Sequence, residues 1–259
     1  MKISLINVTH QAKEMLIFSK NTRHLSNPAA FESILDMTDR EKAEEIGYVF
    51  STIGSALEFV DYTFILHNVT RAFTHQLVRH RVGTAFAQQS LRVAGQSNFS
   101  YFVPDEIEKD QYMMAIYDAT MGGIQEGYNL MASRGVNTQD ARGVLPTNIC
   151  TNILFKVNLR AFALLMETRL CRRAQGEFQQ AALAMRELVQ EAHPWIPFGV
   201  LAPHCVAKSR CQFPRYNCAM KEKHPHLKPI SDDLKRKVSE DHEYLLNRPN
   251  PQPEQQKGE

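Results

Sequence analysis

The spacing of apolar residues predicts several helices separated by a few strands. Between residues 40 and 58, Ala43, Ile46 and Val49 recur every three residues, as they do on one face of a helix. Four further segments also predict helices, at about 70–80, 105–133, 158–169 and 177–192. The short β-rich runs 2–7 and 62–66 favour strands, whereas 149–157 is compatible with either a strand or a helix.

Glycines and the composition of the tail suggest where these elements end. Gly83 follows the 70–80 segment and is expected to end that helix. The pair Gly122 and Gly123 is expected to interrupt the 105–133 helix. From Asn247 onward the chain is rich in Pro, Gln and charge, so we expect disorder there.

Composition narrows the class of protein. The 259 residues are 43% hydrophobic, which suffices for one large core, and the net charge is only +2. We therefore expect neither a non-specific nucleic-acid surface nor a membrane surface. No apolar run approaches the length of a membrane span, and the N-terminal residues lack a signal-peptide core. Five cysteines, an odd number, favour a reducing compartment, and we expect a cytoplasmic protein.

The most informative chemistry is a local cluster of cations. Residues 79–81 read Arg-His-Arg, Arg92 follows closely, and Gln76 shares a helical face with the first two cations. No Asp or Glu lies between Asp61 and Asp105, so nearby acids in the sequence do not neutralise the cluster. A phosphorylated ligand is the natural partner, because the Arg fork matches phosphate oxygens.

This segment resembles the signature R-H-R-x-x-S-x(4)-S-x-R of the flavin-dependent thymidylate synthases. The matching positions are Arg79, His80, Arg81, Thr84 in place of the first Ser, Ser90 and Arg92, with one residue inserted between Thr84 and Ser90. Further matches occur in the family's order: Ser55 and Glu58, Gln76, Arg142-Gly143-Val144-Leu145-Pro146, Asn158-Leu159-Arg160, and Arg169 followed by Ala174-Gln175.

The resemblance implies both a fold and an activity. The implied fold is α+β, with a mixed or antiparallel sheet core packed against long helices, as in the thymidylate synthase-complementing proteins. It would cover residues 1–230, leaving 231–259 as a partly disordered C-terminal extension. The implied enzyme is an FAD-dependent methyltransferase that converts dUMP to dTMP with methylenetetrahydrofolate and NADPH. The family works as a homotetramer whose active sites are assembled from several subunits.

The resemblance also implies roles for individual residues. Arg169 would be catalytic, stabilising negative charge on the N3/O4 side of the uracil, since guanidinium stays charged and donates paired hydrogen bonds. The flavin-binding positions would be Ser55, Arg79, His80, Arg81, Asn158 and Arg160. The substrate-binding positions would be Gln76, Arg79, Gln88, Gln89, Ser90, Arg92, Arg142 and Arg169. No His-Asp arrangement that would activate Ser90 as a nucleophile is visible, which favours a hydrogen-bonding role.

Several positions depart from the family's pattern. They are Ile53, Phe59, Gln88, Val93, Leu164 and Arg173, most of which replace a His, Glu or Tyr. One interpretation is drift within a divergent branch. The other is changed chemistry, with a hydroxymethyl product or a different pyrimidine nucleotide as substrate, because groups able to move protons are missing. A third hypothesis, a catalytically silent flavin- or nucleotide-binding protein, is disfavoured by the retention of Arg169.

The cysteines raise the question of a metal. The residues that could form a tetrahedral Cys3His zinc site are His204, Cys205, Cys211 and Cys218. Their spacings do not match common zinc-binding pairs, so we predict no metal. Cys150 and Cys171 are expected to be buried small hydrophobic residues.

Overall fold

The computed structural model describes residues 1–24, 31–52 and 54–208. Within these ranges, four strands form one antiparallel sheet with the order β1-β2-β4-β3. The strands are β1 (Lys2–Val8), β2 (Asp61–Thr70), β3 (Thr84–Gln88) and β4 (Cys150–Asn158).

Helices make up most of the rest of the described chain. They are α1 (Ala12–His24), α2 (Phe31–Leu35), α3 (Asp39–Thr52), α4 (Arg71–Leu77), α5 (Asp105–Glu108), α6 (Gln111–Ser133), α7 (Thr138–Ala141), α8 (Leu159–Arg169), α9 (Gly176–Ala192) and α10 (His204–Ala207). Three short 3-10 helices are Gly54–Phe59, Arg142–Val144 and Phe198–Leu201. The predicted α+β class with an antiparallel sheet and long helices is confirmed.

The two central strands bury one face of the sheet under helices. Alternate residues of β4 are buried, among them Ile153, Phe155 and Val157, so the segment that sequence left open is a strand. The rings of Phe64 and Phe155 stack with their centroids 6.2 Å apart, and Phe162 of α8 lies 5.8 Å from Phe64. This aromatic core fixes α8 against the sheet.

Helices α4 and α8 each follow a central strand directly. Thr70 caps α4 by accepting the Phe73 N–H at 2.9 Å, and Asn158 caps α8 by accepting the Ala161 N–H at 2.8 Å. Because β2 and β4 are antiparallel, the two helices start at opposite ends of the sheet. Helix α8 therefore runs back toward α4, and its last residue, Arg169, meets the end of α4.

Two predicted helices are shorter than their sequence pattern suggested. The helix expected at 40–58 ends at Thr52, and Gly54–Phe59 forms a 3-10 helix instead. The helix expected at 70–80 is confined to Arg71–Leu77, so the prediction that Gly83 ends it was wrong. Gly83 has a φ of +68° and belongs to the turn that leads into β3.

The predicted interruption at Gly122 and Gly123 was also wrong. Helix α6 runs through both glycines, and the break lies earlier, at Asp110, whose carboxylate caps the N–H groups of Tyr112 and Met113. A Gly costs a helix only about 1 kcal/mol relative to Ala. A good N-cap is therefore a stronger boundary signal than two helical glycines.

None of the helices in the described parts of the chain combines the length and hydropathy that crossing a membrane requires. The predicted C-terminal extension, 231–259, and the tail from Asn247 lie outside the described residues.

Candidate active site

Arg169 is held at the end of α8 by three side chains. Its Nη1 donates to Gln76 Oε1 at 3.0 Å and its Nε donates to His80 Nε2 at 3.2 Å. The guanidinium carbon lies 4.2 Å from the centre of the Phe178 ring, a cation-π distance. Burial lowers the pKa of Arg169. The three predicted site residues Gln76, His80 and Arg169 are thus brought together.

His80 is an acceptor in this cluster. A guanidinium has only donors, so the His80 Nε2 that faces Arg169 must be unprotonated. Burial, followed by the charge of Arg169, lowers the pKa of His80 from 6.5 to about 4. His80 is therefore neutral at physiological pH, and it does not add a charge beside Arg169.

The ring of Phe178 packs against both Arg169 and His80. It contacts the Phe73 ring at a centroid distance of 4.5 Å and lies 6.3 Å from the His80 ring. The preceding residue, Glu177, accepts hydrogen bonds from the Thr70 N–H at 2.7 Å and the Thr70 hydroxyl at 2.6 Å. The start of α9 is thereby fixed to the start of α4.

A second group of cations consists of Arg71 and Arg142, and Arg71 was not identified from the sequence. Arg71, in the first turn of α4, has a buried Nη1 with no hydrogen-bond partner. Burial and then the charge of Arg142 lower its pKa. An unpaired buried donor beside a like charge is costly, which points to an anionic ligand. Arg71 lies in the same acid-free stretch as the signature, and that signal could have revealed it.

Hydrogen bonds link Gln88, in the middle of the signature, to the backbone of Arg71. Gln88 of β3 donates to the Thr74 hydroxyl at 3.0 Å, and Thr74 donates to the Arg71 carbonyl at 3.0 Å. The Ser90 hydroxyl accepts from the Arg92 N–H at 3.3 Å. The predicted positions Gln89 and Arg92 are exposed.

One of the positions predicted to bind flavin, Arg160, lines an apolar cavity. Arg160 pairs with Glu58, with 2.6 Å between Nη1 and Oε1, and Ser55 lies in the adjacent 3-10 helix. The cavity has a volume of about 580 Å³, and its lining includes Gly54, Leu57, Arg160, Leu164, Glu167 and Val200. An apolar cavity of this size fits a flat ring system.

Arg79 and Arg81 lie exposed on the turn between α4 and β3. Within the described ranges, no carboxylate forms an ion pair with either of them, or with Arg92. Asn158 uses its Oδ1 to cap α8, which leaves its Nδ2 as a donor. This donor set also suits the diphosphate of a dinucleotide.

Residues 4–195 match the family model described as thymidylate synthase complementing protein. The chain belongs to this family. The predicted resemblance is therefore confirmed, and the match extends over the sheet and both groups of cations.

Named relatives agree with this assignment. The chain is 29% identical over 220 residues to a flavin-dependent thymidylate synthase of Pyrococcus abyssi, covering 81% of this chain and 88% of that protein. It is 33% identical over 210 residues to the enzyme of the same name from Sulfurisphaera tokodaii, covering 80% and 79%.

A solved structure shows the same fold at low identity. It is the crystal structure of a UMP/dUMP methylase, PolB, from Streptomyces cacaoi bound with 5-Br dUMP. The TM-score is 0.63 at 18% identity, and the match covers 73% of this chain and 90% of that chain. This likeness supports the fold alone.

Three of the positions interpreted above as departures from the family's pattern carry apolar side chains on the surface. Phe59, Val93 and Leu164 are 57%, 86% and 56% exposed, respectively. Leu164 also lines the cavity. Gln88 takes part in the hydrogen bonds described above, and Ile53 lies outside the described residues.

The cysteines are less buried than predicted. Cys150, the first residue of β4, and Cys171, in the turn between α8 and α9, are only partly buried. Burial raises the pKa of the Cys150 thiol. Of the zinc candidates, Cys211 and Cys218 lie outside the described residues. The described residues contain no cluster of three His, Cys, Asp or Glu able to hold a metal.

Proposed function

We propose that this enzyme methylates C5 of dUMP to give dTMP with a bound flavin, and that Arg169 activates the uracil. Membership of the family and the names of the relatives support the reaction. The observation that carries the role of Arg169 is its setting. Two neutral acceptors and an aromatic face fix the guanidinium, which leaves Nη2 to donate to a ligand.

The residues of this chain perform the electrostatic part of the reaction. C5 of uracil is a poor nucleophile, and negative charge on the N3/O4 side of the ring makes it a better one. Arg169, fixed before substrate binds, stabilises that charge without reorganising. FAD, when bound and reduced by NADPH, would supply the hydride needed to turn the methylene group from methylenetetrahydrofolate into a methyl group. The residues that would hold FAD are Ser55, Arg79, His80, Arg81, Asn158 and Arg160.

The second group of cations binds the nucleotide phosphate. Arg71 and Arg142 have no acidic partner in the described parts of the chain, and Arg71 has a donor that needs an acceptor. A phosphate supplies several acceptor oxygens and two negative charges. The partners of the enzyme are therefore small anionic molecules, and neither nucleic acid nor a membrane is required. We place the enzyme in the cytoplasm, where these metabolites and a reducing environment occur together.

The active sites are shared between subunits of a homotetramer. Val82 lies within the signature and Val93 directly follows it, and they are 85% and 86% exposed in the single chain. Apolar side chains this exposed, each next to an exposed arginine in the sequence, favour a surface that another molecule covers. A second copy of the chain would cover these valines and bring further side chains to the ligands.

The product assay tests the reaction and its alternative. The protein, loaded with FAD, is incubated with methylenetetrahydrofolate, NADPH and dUMP, UMP or dCMP in separate reactions, and the nucleotides are weighed. Methyl addition to dUMP supports the proposal. Hydroxymethyl addition, or reaction only with UMP or dCMP, supports the alternative suggested by the departures at positions such as Gln88 and Phe59. A protein that binds no flavin and alters no nucleotide contradicts both.

A further inference from the structure

The side-chain amide of Gln76 has a defined orientation, because its oxygen and its nitrogen face different partners. The atom of Gln76 that contacts Arg169 must be its oxygen, since guanidinium offers only donors. The amide nitrogen then points away from Arg169 and needs an acceptor. Gln175 provides one, because Gln76 Nε2 donates to Gln175 Oε1.

Helix capping does not explain the identity of Gln175. Gln175 occupies the N-cap position of α9, where Ser, Thr, Asp and Asn are preferred. Its side chain makes no capping hydrogen bond, and it is directed toward Gln76 instead. The side chain is also exposed, so core packing does not require it.

The backbone that carries Gln175 is fixed relative to α4. Two residues further on, Glu177 binds Thr70 at the start of α4, and Phe178 packs on Phe73. Gln175 and Gln76 are therefore held at a constant separation. The hydrogen bonds run from Gln175 through Gln76 to Arg169 and end at His80.

We propose that Gln175 is a positioning residue that fixes the amide of Gln76, so that the Gln76 oxygen holds Arg169 in place for the uracil ring. The catalytic part of this inference rests on the proposed role of Arg169. Without an acceptor at position 175, the Gln76 amide can rotate and present its nitrogen to the guanidinium. Arg169 then loses an acceptor and gains mobility.

Three variants separate this role from a structural one. Gln175→Met keeps the length of the side chain but removes the acceptor, and Gln175→Glu keeps an acceptor. Gln180→Met, at an exposed position on α9, is the matched control. We expect kcat to fall about three- to tenfold in Gln175→Met, the typical effect of one lost hydrogen bond. Gln175→Glu should lie closer to wild type, and Gln180→Met should equal it.

A double-mutant cycle tests whether Gln175 acts through Gln76. In a Gln76→Ala background, Gln175→Met should cause no further loss of kcat, because the amide to be oriented is gone. The Kd for dUMP, measured by calorimetry, should change less than kcat. Full additivity in the cycle, or a Gln175→Met enzyme with wild-type kcat, would overturn the inference.

An NMR titration of His80 tests the geometry without reference to turnover. In Gln175→Met, a more mobile Arg169 should depress the pKa of His80 less, so that pKa should rise. An unchanged His80 pKa in this variant would contradict the positioning role. If Arg169→Ala instead retains normal turnover, the proposed role of Arg169 fails, and the titration still decides whether Gln175 fixes the cluster.

Discussion

Two arginine sites in this chain are built in opposite ways. Arg169 is surrounded by groups that suit a cation: two neutral acceptors and the face of Phe178. Arg71 and Arg142 repel each other, and one buried donor of Arg71 has no partner. The first site is complete before any ligand arrives, whereas the second becomes favourable only when an anion binds.

The difference assigns the two sites to different parts of catalysis. A guanidinium that is already fixed stabilises developing charge without reorganising, which favours the transition state. A pair of uncompensated guanidiniums gains most from a ligand that carries full charge from the beginning, which favours ground-state binding. We therefore expect substitutions at the first site to lower kcat and substitutions at the second to weaken nucleotide affinity.

The largest expected effect is at Arg169. Arg169→Ala should lower turnover by about a hundredfold or more, as the loss of one charge-stabilising donor does. Arg169→Lys should also be poor, because an ammonium group lacks the planar fork that reaches several acceptors. Steady-state kinetics measures both, and flavin absorbance should remain normal. Near-normal turnover in Arg169→Ala would remove Arg169 from the mechanism.

The next largest effect is expected at Arg142, where substitution should weaken dUMP binding but stabilise the ligand-free protein. Arg142→Ala should weaken dUMP binding about tenfold or more, because a charged hydrogen bond to phosphate is lost. The same change should raise the melting temperature of the ligand-free protein, since it relieves the repulsion on Arg71. Calorimetry and thermal melts measure these, with Arg40→Ala, an exposed arginine, as the control. A lower melting temperature in Arg142→Ala would show that the pair is not strained.

Subunit mixing tests whether Arg92 and Arg169 reach one active site from different chains. Arg92→Ala and Arg169→Ala proteins are expected to be nearly inactive alone. After their subunits exchange, part of the activity should return, because some shared sites then receive both arginines from intact copies. Exchange is followed by mass spectrometry of differently labelled chains. Complete exchange without any recovery would mean that one chain supplies both residues to each site.

The smallest expected effect is a pH dependence from His80. Its pKa in the folded protein is about 4, below the ordinary 6.5, so between these values the unfolded chain binds a proton that the folded chain does not. The stability associated with neutral His80 is therefore present above about pH 6.5 and is lost as the pH falls toward 4. In Arg169→Ala the His80 pKa should rise but stay below 6.5, because burial is the larger cause.

The parts of the fold predicted from sequence were those with a strong local signal. Helices α8 and α9 and the strand β1 lie where the periodic pattern put them, within a residue or two. The strand β3 was missed because its residues, Thr84–Gln88, have no strong β pattern and are held by pairing with β4. Helix α1 was also missed, although its buried Leu16 and Ile17 anchor it to the core.

Prediction of the candidate site from sequence was limited in the same way, to residues that have a local signal. Sequence similarity identified Arg169, Gln76 and His80, and the structure brings them into contact. Arg71 was not found, because no motif contains it and its importance depends on Arg142, which lies far along the chain. Gln175 belongs to the motif that follows Arg169, but its role depends on a contact across 99 positions of sequence, which the motif does not report.

Gly83 limits which substitutions the turn before β3 can accept. A Cβ at this position would lie 2.4 Å from Nδ2 of Asn158, and its φ of +68° already disfavours any other residue. Its carbonyl also accepts the Asn158 N–H at 2.9 Å, so the turn and the start of α8 touch at backbone and side chain together. In a saturation library we expect position 83 to accept glycine alone. The residue inferred to be inserted between Thr84 and Ser90 lies after this turn, so it leaves the contact between Gly83 and Asn158 intact.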